Sequence, residues 1–306
     1  MNIKRGLSLL LAGALAVGLC TGGGPLAVTA SAIDAEEPYR EFREEADESF
    51  RPMDWVEETI TCQSGPDTLA GTLTRPSNVD DGVPVAILLH GLSTNSRWCD
   101  DIAWFLAGEG IASVRFDFAG TGFSTGAQEH MTVGSEVINT IDIIDYVKSL
   151  DFTDTDNIFL VGKSMGGVDA VLASQLRSSD IRAMCLWYPG FGIGDAVRHG
   201  FLLGETFDTE NLPQTLTAAG YTYGQKFLEE AGKLDCTEAC RSYNRPVMIL
   251  HGDQDFVAPI EYSFRMSEVF PDCTMKVVPG GYHGFWGYQE LGALIDMTEF
   301  LKANMV

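Results

Sequence analysis

From about residue 55 onward, short apolar runs alternate with longer stretches of helical periodicity, and this alternation constrains the fold more than any single motif. The runs 85–89, 112–116, 158–161, 181–187, 247–250 and 275–278 are built mainly from Val, Ile, Leu, Ala, Met and Phe. Helical stretches at 101–108, 135–150, 166–176, 260–270 and 291–301 follow every run except 181–187. A strand that is apolar on successive residues has to be covered on both faces, and helices returning between such strands make them parallel. The expected architecture is α/β, a mostly parallel central sheet with helices on both faces. Residues 59–74 read as an antiparallel hairpin at the leading edge, and no repeat period is visible. The rhythm breaks at 188–245, where Gly, Tyr and Phe are scattered among weak helical signals. Insertions of that length are commonly lids or binding loops. Placed over the carboxyl ends of the strands, this one would roof the place where such sheets bind ligands.

The chain has 306 residues, 45% apolar and 21% charged, enough to bury the core of one large domain. Its net charge of -23 repels phosphate backbones and anionic surfaces, which excludes nucleic acid as a natural partner. The beginning of the chain reads as an export signal: Lys4 and Arg5, an apolar stretch at 7–19, then the small residues Ala30-Ser31-Ala32. The expected division is a signal peptide at 1–32, an acidic arm at 33–54, and a domain at 55–306 carrying the insertion at 188–245. The protein is expected to be secreted and not to stay in a membrane once the signal is removed, since the apolar stretch is short and Gly-rich. A lipid anchor on Cys20 is the weaker reading, because Leu19 stands where a lipid-attachment site wants a small residue. Cleavage would leave Cys62, Cys99, Cys185, Cys236, Cys240 and Cys273. Cys185 lies in an apolar run and reads as a buried thiol. For the close pair Cys236 and Cys240, a local bridge and two unpaired surface thiols are equally open.

The chemistry starts at Gly162-Lys163-Ser164-Met165-Gly166, between an apolar run and a helical stretch. In a strand–turn–helix setting G-x-S-x-G places a serine hydroxyl on a strained, exposed turn, and the glycines are there because side chains would collide. This is the nucleophile turn of the α/β-hydrolase fold, in which acid and histidine follow the serine in that order. A serine hydroxyl needs a base, and the base needs an orienting group. His283 stands after the run 275–278 as the sole histidine beyond Asp255, which makes it the expected base. Asp255 follows the run 247–250 and is the expected acid; Asp253 comes so soon after that run that it reads as a turn residue. His90 and His251 each precede a glycine at a strand end and read as turn-shaping. The developing oxyanion needs N–H donors, each worth about 2.7–4 kcal/mol of barrier. The expected donors are the backbone N–H groups of Met165 and of Leu92, in the loop His90-Gly91-Leu92. No cofactor or metal signature is present, and this chemistry requires none.

Taken together, His90-Gly91-Leu92, Ser96-Arg97-Trp98, the stretch from Ala112 to Phe118, Gly120-Thr121-Gly122, Met131-Thr132-Val133 and Gly162-Lys163-Ser164-Met165-Gly166-Gly167 resemble the bacterial cinnamoyl (feruloyl) esterases. The likeness runs from about Val83 to the C-terminus and weakens in the insertion. It implies a serine esterase with the same triad, whose insertion binds the phenolic ring of a hydroxycinnamate ester. An Asp early in that family's insertion and a Tyr later in it contact the ring hydroxyls; Asp195 matches the first, and Tyr223 the second, with Tyr221 as competitor. Lys163 and Met165 depart from the His and Gln these esterases commonly carry. Two other readings share the motif. A lipase-like or peptidase-like hydrolase would act on acylglycerols or acyl-peptides, and a non-catalytic binding protein would keep the fold without turnover.

Overall fold

A computed structural model describes residues 53–306; the export signal, Cys20 and all but the end of the acidic arm lie outside the described residues. The chain opens with a long hairpin, β1 (Trp55–Ser64) and β2 (Asp67–Pro76), which turns at Gly65 with φ 54°. It continues through β3 (Val83–Leu89), α1 (Asp100–Gly108), β4 (Ala112–Phe116), α2 (Val133–Lys148), β5 (Thr153–Lys163), α3 (Met165–Arg177) and β6 (Ala183–Trp187). After the insertion come β11 (Val247–Gly252), α7 (Ile260–Ser267), β12 (Cys273–Val278) and α8 (Tyr288–Ala303). These strands form an eight-stranded sheet in the order β1-β2-β4-β3-β5-β6-β11-β12. The hairpin joins it antiparallel through β2 against β4, and the neighbours from β4 through β12 run parallel.

The expected two-sided burial is visible residue by residue. Val85, Ile87 and Leu89 of β3 enter one core with Ile158 and Leu160 of β5. Ala86 and Leu88 enter the opposite core with Phe159 and Val161. Successive strand residues point to opposite faces, so a strand covered on both sides must be apolar throughout. α2 and α3 cover the first face, while α1 and α8 contribute Ile102, Leu106, Met297 and Leu301 to the second. Burying one such Leu or Ile contributes about 1.5–3 kcal/mol. α2 starts cleanly because Thr132 caps it: its hydroxyl accepts from the Ser135 N–H, and the Ser135 hydroxyl in turn accepts from the Thr132 N–H.

The insertion leaves the sheet after Trp187 and re-enters it at Val247. It holds α4 (Ile193–Arg198), a short pair β7 (Phe201–Leu202) and β8 (Glu205–Thr206), the hairpin β9 (Thr215–Ala218) with β10 (Tyr221–Gly224), then α5 (Gln225–Ala231) and α6 (Thr237–Ser242). The six described cysteines are all free. Cys236 and Cys240 are neither bridged nor at the surface: α6 packs onto α3, and the packing buries both thiols. No helix among the described residues is long and apolar enough to cross a membrane.

Candidate active site

β5 ends at Lys163 and α3 begins at Met165, so Ser164 alone carries the chain from strand to helix. It does so at φ 55° and ψ −117°, a conformation costing a non-glycine residue about 1–3 kcal/mol. Three backbone bonds hold it there. Its N–H donates to the Trp187 carbonyl at 3.0 Å, and its carbonyl accepts from Gly167 at 3.1 Å and Gly190 at 2.9 Å. The flanking glycines are sterically required. A Cβ on Gly162 would lie 2.3 Å from the Gly166 carbonyl oxygen, and one on Gly166 would lie 2.3 Å from that of Leu89.

The structure brings Ser164, His283 and Asp255 into one hydrogen-bonded chain. Ser164 Oγ lies 2.9 Å from His283 Nε2, and His283 Nδ1 lies 2.7 Å from Asp255 Oδ2. With Nδ1 donating to the carboxylate, Nε2 is left as an acceptor facing the serine hydroxyl, the arrangement a general base requires. Asp255 is fully engaged. Its Oδ1 accepts from the Val257 N–H at 2.9 Å and the Ala258 N–H at 2.8 Å. Its Oδ2 also meets His251 Nε2 at 3.2 Å. Burial by itself pushes this carboxyl up, but the bonds from His251, His283 and Ala258 and the nearby imidazole charge outweigh it. They hold Asp255 well below the ordinary carboxylate range. His251, read from sequence as a turn former, thus does more. It is wholly buried, bonded to Ser263 Oγ at 2.7 Å and to the Ala258 carbonyl at 2.8 Å, and it braces the acid. Asp253 fastens the adjoining turn through the Gly280 N–H at 2.7 Å.

The loop after β3 lies directly against the serine: a Cβ on Gly91 would sit 2.8 Å from Ser164 Cβ. Leu92 follows Gly91 directly in that loop, and Met165 follows Ser164 as the first residue of α3. Among the described residues, neither the Leu92 nor the Met165 N–H donates to a backbone carbonyl in the surrounding turns and loops. His90 anchors the loop. Burial lowers its pKa and keeps it neutral, and the ring bridges the Gly91 carbonyl at 2.9 Å and the Phe118 N–H at 3.1 Å.

Aromatic rings wall the imidazole: the Tyr188 centroid lies 5.0 Å and that of Trp98 6.4 Å from His283. Behind them the buried Lys163 donates to the Trp98 carbonyl at 2.7 Å, with its ammonium 5.3 Å from the Trp98 and Trp187 rings. Asp195 sits on α4, partly exposed, with Oδ2 accepting from the Tyr262 hydroxyl at 2.7 Å and Oδ1 paired with Arg198. Those two bonds, Tyr262 foremost, pull its carboxyl below the ordinary value. Tyr223 is placed differently from the resemblance-based expectation. It is completely buried, and its hydroxyl is taken by Ser93 Oγ at 2.6 Å, so it presents no open face to a ligand. Tyr221 occupies the same face of β10 and is only half-buried. In the sequence Trp98 stood out only within a resemblance motif and His251 only as a turn former; their places beside the imidazole and the acid depend on strands distant in the chain.

The chain is similar to several known proteins. The family model described as serine aminopeptidase, S33, matches residues 83–209. Est1E from Butyrivibrio proteoclasticus, solved with ferulic acid bound, superposes with a TM-score of 0.75 at 30% identity, covering 80% of this chain and 98% of that one. The non-heme chloroperoxidase CPO-A1 of Kitasatospora aureofaciens is 34% identical over 62 residues, 20% of this chain and 22% of that protein. A proline iminopeptidase of Xylella fastidiosa is 32% identical over 62 residues, 20% of each chain. This chain thus spans about a fifth of the length of those last two relatives. It belongs to the α/β-hydrolase family and is an esterase-like member of it.

Proposed function

We propose that the chain is an exported serine carboxylic-ester hydrolase acting on hydroxycinnamate esters through an acyl-enzyme on Ser164. The observation that carries this reading is the continuous path Ser164–His283–Asp255, at 2.9 and 2.7 Å, on a strained serine turn. As Ser164 Oγ attacks the ester carbonyl, its proton passes to His283 Nε2, and the ionised Asp255 stabilises the imidazolium. The tetrahedral oxyanion faces the N–H groups of Leu92 and Met165. On collapse His283 returns the proton to the departing alcohol; it then deprotonates a water that releases the acid and restores Ser164. The hydroxycinnamate part of the reading is supported by Est1E having been solved with ferulic acid, at 30% identity over nearly its full length. The resemblance assigns the partly exposed Asp195 to the phenolic end, where it would meet the ring together with its partners Tyr262 and Arg198, and the half-buried Tyr221 is the competing tyrosine.

The test is steady-state hydrolysis of methyl ferulate, methyl caffeate, p-nitrophenyl acyl esters, monoacylglycerol and aminoacyl anilides, with Ser164→Ala as control. The expected result is a kcat/KM preference for the hydroxycinnamates and loss of turnover in the folded Ser164→Ala chain. Parental activity in that variant would overturn the nucleophile, whereas preference for plain acyl chains would overturn the substrate class alone. A peptidase-like reading has its own support in the serine aminopeptidase family match, and turnover of the anilides would favour it. Failure of the folded chain to react with a fluorophosphonate would favour a non-catalytic binding protein. Export predicts that the chain accumulates outside the cytoplasm with Ile33 as its first residue. Retention of the uncleaved chain inside the cell would refute it.

A further inference from the structure

The loop carrying Leu92 has a backbone irregularity one residue beyond it. Ser93 sits at φ 57°, in the left-handed region that costs a non-glycine residue about 1–3 kcal/mol. A strained residue persists only where its surroundings over-determine it. Part of that work is local: Thr94 Oγ1 donates to the Gly91 carbonyl at 2.7 Å, and the His90 ring holds the same oxygen at 2.9 Å. The remaining fastening comes from far along the chain, where the Tyr223 hydroxyl meets Ser93 Oγ at 2.6 Å.

Tyr223 is built to hold that position. It pairs with Leu216 in the β9–β10 hairpin, its ring lies 5.0 Å from that of Phe227 on α5, and no part of it reaches solvent. Burial pushes its phenol well above the ordinary tyrosine value, so the hydroxyl stays protonated and keeps a hydrogen to share. The Leu92–Ser93 peptide joins the strained residue to the candidate oxyanion donor. Relaxation of Ser93 to negative φ would rotate that peptide, and the change would reach the donor through the Leu92 Cα, because the Leu92 N–H belongs to the preceding Gly91–Leu92 peptide. A displacement of about 1 Å in a positioning group is enough to cost about a hundredfold in rate.

Resting on the proposed esterase reading, we infer that Tyr223 is a positioning residue: through Ser93 it ties the insertion to the oxyanion loop and keeps the Leu92 N–H aimed at the reacting carbonyl. The insertion therefore contributes to turnover as well as to substrate choice. An oxyanion contact acts on the transition state and not on the bound ester, so its loss lowers kcat and leaves KM in place.

The experiment compares the parent chain with Tyr223→Phe, Ser93→Ala and the double variant. It uses two readouts: kcat and KM on the best ester, and the second-order rate of Ser164 phosphonylation by an alkyl fluorophosphonate. The second passes through an oxyanion without depending on the ester's identity. Circular dichroism and Tm establish that each variant is folded. The expected result is a roughly tenfold loss in kcat and in phosphonylation rate for either single variant, with KM within about twofold. The double variant should be no slower than Tyr223→Phe, which already removes both the side-chain bond and the backbone contact that Ser93 makes to the hydroxyl. Parental rates in the folded variants would overturn the inference, and so would a KM rise at unchanged kcat or additive losses in the double variant. If Tyr223→Phe does not fold, Ser93→Ala carries the same readouts from the other end of the bond. A parent chain that is not phosphonylated at Ser164 overturns the esterase reading and this inference with it, an outcome distinct from a labelled parent with unaffected variants.

Discussion

Two buried acidic sites in this molecule meet burial with opposite chemistry. Asp255 has partners on both oxygens: two backbone N–H groups on one, two histidines on the other. Glu136 on α2 and Asp169 on α3 are equally buried, yet Glu136 Oε2 and both Asp169 oxygens have no hydrogen-bond partner. Desolvation therefore governs the second site. It raises Glu136 to about 8 and, with the neighbouring Glu136 charge, raises Asp169 well above its ordinary value. The lesson is that partners, not depth, decide whether a buried carboxyl is charged. An ionised acid stands where an imidazolium has to be stabilised, and protonated acids stand where nothing is available to neutralise them.

The largest expected effect strikes the partnered site. Asp255→Asn keeps the shape but removes the charge and favours the wrong imidazole tautomer, so kcat/KM should fall about 10³–10⁴-fold in ester assays. A loss below tenfold would make Asp255 a structural anchor and dissolve the contrast. Next comes the unpartnered site, read by urea unfolding at several pH values. Between about 4.5, the ordinary glutamate value, and about 8, Glu136 is protonated in the fold and ionised in the unfolded chain. Folding then takes up a proton, so this group makes stability fall as pH rises through that window. Glu136→Gln should flatten the slope and raise stability above pH 8 by about 1–3 kcal/mol. An unchanged slope would mean that the carboxyl is ionised in place. Asp255 carries the opposite sign, since its lowered value makes its contribution present above about 3.8 and lost as the pH falls below it.

Smaller still is the brace on the acid. His251→Gln leaves Asp255 three of its four partners and should cost about tenfold in kcat, by the scale of outer-shell supports. A loss as large as that of Asp255→Asn would promote His251 to an equal share of the relay. The least effect belongs to a solvated pair: removing the Arg75–Glu58 contact, 3.2 Å with Glu58 half-exposed, with Glu58→Gln should shift unfolding by less than about 0.5 kcal/mol. A shift of 2 kcal/mol there would show that exposure does not weaken ion pairs in this chain as it does in others.

Much of the sheet was legible because its strands are apolar on both faces. The run 112–116 is β4 as found, and 158–161 is the buried heart of the longer β5, whose polar beginning at Thr153 gave no apolar signal. The serine turn was legible for steric reasons, since Gly162 and Gly166 leave no room for a Cβ. The insertion's place between the strands was legible too, but its internal elements were not, because they are two to seven residues long and take their shape from the surfaces they cover. Tyr223 shows the limit well. Its spacing from the serine says nothing about which group its hydroxyl will meet, and the resemblance pointed to a ligand where the fold supplies Ser93. Glu136 gave no signal of its kind in the sequence. It occupies the inward stripe of α2 with Val133, Asn139, Thr140, Ile143 and Val147, and α3 packs against that helix.

The insertion starts at the end of β6 and finishes at the start of β11, strands that are paired neighbours with Trp187 opposite Leu250. Because the two strands run parallel, the chain has to cross over from the end of one to the start of the other, and the insertion is that crossover grown long; loop-closure entropy grows only slowly with added length. Such a segment can be lengthened, shortened or exchanged between lineages while the relay beneath it stays assembled. Substrate preference and reaction chemistry can then be inherited as separate modules. The Tyr223–Ser93 bond is where a newly arriving segment would be checked for compatibility with the old machinery.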